Sequence, residues 1–151
     1  MAENRSRESA LWEWLKAGAK KAFEPSAIDI RRVEGAATGT PDVECQIQYR
    51  KQFWCELKVA HEMANGMWNI KITPAQVRWA RKRCRAGGNS WVLVRVGSNP
   101  SRHYLIWGMD AERLLQPISE FGKDSLEQLS KVYHMRSTPT QKYLFQVMGQ
   151  C

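Results

Sequence analysis

Two neighbouring segments that alternate between apolar and polar residues constrain the fold of this chain most strongly. Residues 43–49 carry an apolar side chain at every second position, and residues 53–59 repeat the pattern. A period of two is typical of β-strands that bury one face. Because only a short connection separates the two segments, they predict an antiparallel hairpin.

The register of this hairpin follows from the same pattern. Residues that lie directly opposite one another on antiparallel strands share a face of the sheet. Apolar residues meet only if the numbers of paired residues sum to an even value, which requires an odd number of connecting residues around 50–52. A slip by one residue would turn one apolar row outwards. The even register gathers Asp42, Glu56 and Lys58 on the polar face.

The rest of the chain predicts an α/β protein with a central mixed sheet flanked by helices. Thr73 and Pro74 form a strong helix start, and a glycine pair at 87–88 ends that helix. Residues 61–72 are predicted as a connection. Helices are predicted at 6–24, 74–86, 110–121 and 124–135, and strands at 27–35, 43–49, 53–59, 90–97 and 102–108. We expect one domain, with a core at about 6–108 and a short helical C-terminal extension at about 109–151, in which the part after Ser137 has no predicted structure.

Composition indicates a polyanionic partner. The chain has 23 Lys and Arg against 15 Asp and Glu, a net charge of +8, and nucleic acid is the commonest partner of such a surface. Its four cysteines show no CxxC spacing, and Cys45, Cys55 and Cys84 occupy apolar positions, so we interpret them as reduced core residues. No apolar run reaches the length of a membrane span. These features predict a cytoplasmic protein.

Three short motifs resemble a known family. GTPD at 39–42, followed fourteen residues later by ELK at 56–58, resembles the PD-(D/E)xK nuclease superfamily. TPAQVRW at 73–79, followed by a glycine pair and an apolar strand, is similar to the VRR-NUC branch, which includes small phage-type members. The similarity covers residues 8–96. It implies a restriction-endonuclease-like core and magnesium-dependent cleavage of DNA, with manganese as a substitute.

The resemblance assigns roles to the residues that the hairpin gathers. Magnesium takes oxygen ligands, usually one or two carboxylates together with waters and a phosphate oxygen. Asp42 and Glu56 would provide these carboxylates, and the family pattern adds the backbone carbonyl of Leu57. Lys58 would orient the attacking water or offset charge on the phosphate. The alternative is a solvated ladder of salt bridges on an exposed sheet face.

Two further site residues are implied by the resemblance. An acidic residue on the first helix would complete the metal site; we prefer Glu8 to Glu13, although a glutamate near a helix start is also favoured by the helix dipole. Gln76 would point at the site or at a phosphate, or would act only as the capping partner of Thr73. Glu44 shares the face of the paired carboxylates and could join a second metal, but we interpret it as a solvated strand residue.

A run of basic residues on the helix after ELK is assigned to phosphate contacts, with a solvated helix face as the alternative: Arg78, Arg81, Lys82, Arg83 and Arg85. Taken together, the sequence predicts a magnesium-dependent, structure-specific DNA endonuclease. Its expected substrate is branched DNA such as a Holliday junction, cut by a homodimer without a small-molecule cofactor. The alternatives are a less selective nuclease or nickase, a DNA-binding protein on an inactive nuclease fold, and a structural protein.

Overall fold

The computed structural model describes residues 2–97, 101–115, 123–134 and 141–150. The helices are α1 (Ala2–Ala22), α2 (Pro74–Arg85), α3 (Lys123–Leu129) and α4 (Gln141–Met148), with 3-10 segments at Pro25–Ala27 and Gly108–Leu115. The strands are β1 (Ile28–Arg32), β2 (Val43–Ile47), β3 (Phe53–Val59), β4 (His61–Glu62), β5 (Trp68–Asn69), β6 (Asn89–Val96), β7 (Arg102–Trp107) and β8 (Val132–His134). None of the described helices is long and apolar enough to cross a membrane.

The central sheet is mixed. Among the described residues it contains six strands in the order β1-β2-β3-β6-β7-β8, and β4 pairs with β5 in a separate hairpin. β3 and β6 run parallel, whereas the other neighbours in the sheet are antiparallel. A parallel pair requires a crossover, and α2 lies within the connection from β3 to β6. The predicted α/β architecture is confirmed.

The predicted hairpin register is also confirmed. Val43 lies opposite Cys55 and Cys45 opposite Phe53, so paired residue numbers sum to an even value. An odd number of residues, 48–52, connects the two strands. Consequently one face of β3 carries Phe53, Cys55 and Leu57, and the other face carries the charged residues of ELK.

Helices cover both faces of the sheet. On the first face, Leu11 and Leu15 of α1 and Phe145 of α4 are fully buried in one cluster with the apolar row of β2 and β3. On the second face, α2, the 3-10 segment at Gly108–Leu115 and α3 enclose a cluster that includes Val92 of β6. Each fully buried Leu or Phe contributes about 1.5–3 kcal/mol relative to an exposed one. Glu56 and Lys58 lie on the second face, towards α2.

The C-terminal part departs from the prediction of a purely helical extension. The helix predicted at 124–135 is divided into α3 and β8, and β8 pairs with the edge of β7. The apolar spacing of this segment favours a helix, whereas Val132 and Tyr133 are residue types that favour a strand. The edge of β7 is available for pairing, and the segment forms a strand there. The tail, for which no structure was predicted, contains α4, whose Leu144 and Phe145 lie in the core.

Two other segments differ from the sequence prediction. The connection at 61–72 contains the short β4–β5 hairpin, and its turn includes Asn65 and Gly66, the latter with φ of 80°. An Asn-Gly pair is a strong hairpin signal, but the flanking strands are only two residues long and show no period. The helix predicted at 110–121 is a 3-10 segment as far as Leu115, and its remainder lies outside the described residues.

Candidate metal centre

The GTPD loop brings Asp42 to the end of β2 beside the start of α2. Gly39 has φ of 90°, and a Cβ atom there would lie 2.6 Å from the carbonyl oxygen of Ala75. Glycine is the residue that tolerates both the positive φ and this close approach. Beyond the loop, the Oδ2 atom of Asp42 accepts a hydrogen bond of 2.9 Å from the backbone N–H of Leu57. The first carboxylate is thereby tied to β3.

This hydrogen bond also determines what the carbonyl of Leu57 faces. The pairing of β2 with β3 ends where Val43 lies opposite Cys55. The N–H and C=O groups of a strand residue point to the same side of the strand. Because the Leu57 N–H points to Asp42, its carbonyl oxygen faces the same gap at the end of β2. The backbone oxygen implied by the family pattern is therefore on the side of Asp42.

Glu56 is a buried carboxylate with one unsatisfied oxygen. It is 5% exposed, and its Oε1 atom accepts a hydrogen bond of 2.6 Å from Nε2 of Gln76. Within the described structure, the buried Oε2 atom has no hydrogen-bond donor. Burial and, after it, the neighbouring Asp42 carboxylate raise the pKa of Glu56 to about 8, although Lys58 opposes the shift. A buried, unpaired carboxylate oxygen beside a second carboxylate is an unfavourable arrangement that a cation would relieve.

Lys58 supports the same interpretation. Its Nζ atom lies 3.4 Å from Oε1 of Glu56, and the residue is only 8% exposed. The polar face of β3 is therefore covered rather than solvated, because α2 and the 3-10 segment pack over this side of the sheet. A ladder of salt bridges on an exposed face, the alternative left open by the sequence, does not fit this burial.

The structure distinguishes the two acidic candidates of α1. Glu8 is half-buried; burial raises its pKa, the charge of Lys58 lowers it and that of Asp42 raises it, so its carboxylate lies within electrostatic range of both. Glu13 is exposed. Since α1 begins at Ala2, Glu8 lies beyond the first turn, and the helix dipole does not account for its position.

Gln76 combines the two roles that the sequence presented as alternatives. Its Oε1 atom accepts from the N–H of Thr73, and its own N–H donates to the Thr73 hydroxyl, which completes the predicted capping box. Its Nε2 atom meanwhile donates to Glu56. The cap therefore orients the amide whose other end holds the buried carboxylate.

The ligand set suits magnesium better than a metal held entirely by side chains. Across the described ranges, no three His, Cys, Asp or Glu side chains form a group that could hold a metal ion. Asp42 and Glu56 do face each other, with the Leu57 carbonyl on the same side. Two carboxylates and a backbone oxygen leave positions for waters and a phosphate, which is the usual environment of protein-bound Mg²⁺.

Glu44 is engaged away from this pair. Its Oε2 atom accepts two hydrogen bonds from Arg31, at 2.8 and 2.6 Å, and Oε1 accepts one from Gln52. The structure thus favours the interpretation of Glu44 as a strand residue with polar neighbours rather than as a ligand of a second metal.

The basic run on α2 divides into three groups. Arg81 forms a salt bridge with Glu112 of the 3-10 segment, which offsets its charge. Arg83 lies over the ring of Trp79 at 4.9 Å and that of Trp54 at 5.6 Å. The remaining three side chains are exposed and follow one another at spacings of four and three, which places them on one face of the helix: Arg78, Lys82 and Arg85.

The aromatic part of this surface was missed by the sequence analysis. Trp54 lies two positions before Glu56 on the same face of β3 and contacts Trp79 edge-on, with ring centroids 5.1 Å apart. The alternation of β3 could have indicated this surface, because a period of two places Trp54 on the charged face and not in the apolar row.

Comparison with known proteins adds one structural likeness. No protein-family model and no curated protein matches the sequence. Among solved structures, the chain is similar to Hjc, a Holliday junction resolvase from the archaeal hyperthermophile Archaeoglobus fulgidus, with 20% sequence identity and a TM-score of 0.41. The likeness covers 66% of this chain and 74% of that chain. A functional assignment therefore depends on the residues of this chain.

Proposed function

We propose that this protein is a magnesium-dependent DNA endonuclease of the PD-(D/E)xK superfamily and of its VRR-NUC branch. The observation that carries the proposal is the pairing of Asp42 with the buried Glu56, in which one oxygen of Glu56 lacks a donor among the described residues. The motifs GTPD and ELK supply both residues. Lys58 adds a buried ammonium group beside them.

The chain's own groups suggest how such a site would work. Asp42, Glu56 and the Leu57 carbonyl would hold Mg²⁺, with Glu8 as the next nearest acid. When bound, the ion would lower the pKa of a water and stabilise charge on the phosphate. Lys58 would orient the attacking water or offset negative charge on the scissile phosphate. Gln76 would keep the Glu56 carboxylate in place through its capped amide.

The substrate class rests on charge and on the family resemblance. A net charge of +8 and the exposed stripe of Arg78, Lys82 and Arg85 favour a nucleic-acid partner. The resemblance favours branched DNA such as Holliday junctions. Two symmetric cuts across a junction would require a homodimer with a two-fold axis, and we include this dimer in the proposal.

Two other functions use the same surface. A less selective nuclease or nickase would share every residue of the site, so only defined substrates distinguish it. A DNA-binding protein on an inactive nuclease fold would retain the basic stripe. The buried Glu56 and Lys58, with Asp42 beside them, favour an active site over this second alternative, because a binding protein gains nothing from the cost of burying these two charged groups.

Cleavage of defined DNA tests the proposal. The purified protein would be incubated with a labelled four-way junction and with the linear duplex of the same sequence, in Mg²⁺, in Mn²⁺ and in EDTA. We expect paired symmetric cuts confined to the junction in either metal. Equal cutting of both substrates would retain the metal site and replace the resolvase with a general nuclease. Tight binding without cutting in either metal would favour the inactive-fold alternative.

A further inference from the structure

A cavity of about 570 Å³ lies where the N-terminal part of α1 meets the ends of β3 and β6. Three arginines line it, Arg7, Arg95 and Arg102, and among the described lining residues the acidic one is Glu62. A concave site whose lining carries a net positive charge attracts anions. This cavity is separate from the basic stripe of α2.

Arg95 is held by a hydrogen bond and by an aromatic ring. Its Nε–H donates a hydrogen bond of 3.0 Å to Nε2 of His103, and its guanidinium lies 5.4 Å from the ring centre of Trp14. The rings of Trp14 and His103 are themselves stacked, 3.9 Å apart. The buried His103 thus supports the guanidinium through an acceptor nitrogen. Both contacts hold the guanidinium in place, and neither of them involves a carboxylate.

The desolvation of Arg95 is not compensated by an acidic group. Burial lowers the pKa of Arg95 below its usual value. Among the residues that the structure describes, neither Arg95 nor Arg102 has a carboxylate partner. A half-buried guanidinium retains several N–H donors for a ligand, and its planar fork matches the oxygens of a phosphate. The arrangement therefore favours an anion with oxygen acceptors.

The cavity and the candidate metal centre lie at the same end of β3. Arg7 directly precedes Glu8, and Val59, which also lines the cavity, directly follows Lys58. Successive residues of a strand point to opposite faces, so Val59 faces the cavity while Lys58 faces the metal centre, and a DNA strand that contacts both passes around the end of β3. Trp68 adds an apolar surface to the lining, which suits the sugar or base attached to such a phosphate.

We propose that this cavity binds a phosphate group of the cleaved DNA strand, at the end of β3 that also carries Lys58, through Arg95 and Arg102. The inference rests on the proposed nuclease function and specifies how the substrate strand is held. The phosphate is either an internal phosphodiester or a terminal phosphomonoester, since both present the same oxygens. The cavity would thereby position the strand across the metal centre rather than take part in the chemistry.

Equilibrium DNA binding in EDTA tests the cavity independently of cleavage. Short labelled oligonucleotides with and without a terminal phosphate would be titrated with the wild type, Arg95→Met and Arg102→Gln. Arg113→Gln is the matched control, because Arg113 is exposed on the 3-10 segment and its loss removes the same charge. We expect each cavity variant to bind about tenfold more weakly than the control, with a salt slope that is smaller by about one.

The outcomes distinguish an internal from a terminal phosphate, and the cavity proposal from the nuclease proposal. Equal loss for both oligonucleotides would indicate an internal phosphodiester, and loss only for the phosphorylated one would indicate a terminal phosphate. Thermal unfolding would first establish that both cavity variants are folded. If both then bound DNA as tightly as Arg113→Gln, the inference would be overturned. Should Arg95→Met fail to fold, Arg102→Gln carries the test. A wild type that binds through the cavity but never cleaves would remove the nuclease proposal alone.

Discussion

Replacing Glu56 with glutamine should stabilise the metal-free protein, and the gain should grow with pH. The pKa of Glu56 is raised from 4.5 to about 8, first by burial and then by the charge of Asp42. A carboxyl group with a raised folded-state pKa contributes stability that is fully present below its ordinary pKa and is lost as the pH rises towards the folded value. Glutamine stays neutral throughout and would lose nothing.

The magnitude follows from the width of this pH window. One pKa unit corresponds to about 1.4 kcal/mol, so the three units between pH 5 and pH 8 give a relative gain for Glu56→Gln on the order of 4 kcal/mol. Any change in the hydrogen bonds of the new amide is independent of pH and cancels between the two ends of the window. Glu8, whose pKa is also raised, is present in both proteins.

Urea unfolding in EDTA at pH 5, 6, 7 and 8 would measure this difference. Glu13→Gln is the control, because it removes the same charge from an exposed position of α1. We expect the free energy of unfolding of Glu56→Gln to exceed that of the wild type increasingly as the pH rises, while the control runs parallel to the wild type. Parallel curves for Glu56→Gln would refute the claim that the site holds excess negative charge.

Three other predictions concern the neighbours of this carboxylate and the basic helix. Lys58→Met should lower the single-turnover rate of DNA cleavage by about 10²-fold or more, with little change in DNA affinity in Ca²⁺; the reverse pattern would assign Lys58 to binding. Gln76→Glu keeps an acceptor for the helix cap but adds a negative charge beside Glu56. Urea unfolding in EDTA should therefore show that the variant is less stable than the wild type at pH 8 and regains this stability at pH 5. An equal loss of stability at both pH values would indicate that the substitution acts through the helix cap. Lys82→Gln should reduce the salt slope of DNA binding by about one, whereas Arg81→Gln should leave the slope unchanged because Arg81 pairs with Glu112. Equal slopes in the two variants would contradict the assignment of Lys82, but not Arg81, to phosphate contact.

The hairpin that carries the site was predictable because its information is local. Alternation at 43–59 determines both the strands and their register, and the register alone places Asp42 and Glu56 on one face. The capping box of Thr73 and Gln76 was predictable for the same reason. Its second consequence, the contact of Gln76 with Glu56, joins residues twenty positions apart and depends on where α2 lies on the sheet.

The features that were not predicted depend on distant parts of the chain. The burial of Glu56 and Lys58 cannot be read from alternation, because a polar row shows which face it occupies but not what covers that face. Arg81 differs from the other basic residues of α2 because it forms a salt bridge with Glu112, thirty-one positions away. β8 forms because β7 offers an edge, although its own segment has helical spacing.

The most direct test of the central claim is DNA cleavage by Asp42→Asn. The variant would be compared with the wild type and with Glu13→Gln on the same labelled four-way junction in Mg²⁺, and its affinity for that junction would be measured in Ca²⁺. We expect cleavage by Asp42→Asn to be abolished while its binding is retained, with Glu13→Gln as active as the wild type. Undiminished cleavage by Asp42→Asn would contradict the assignment of the metal centre.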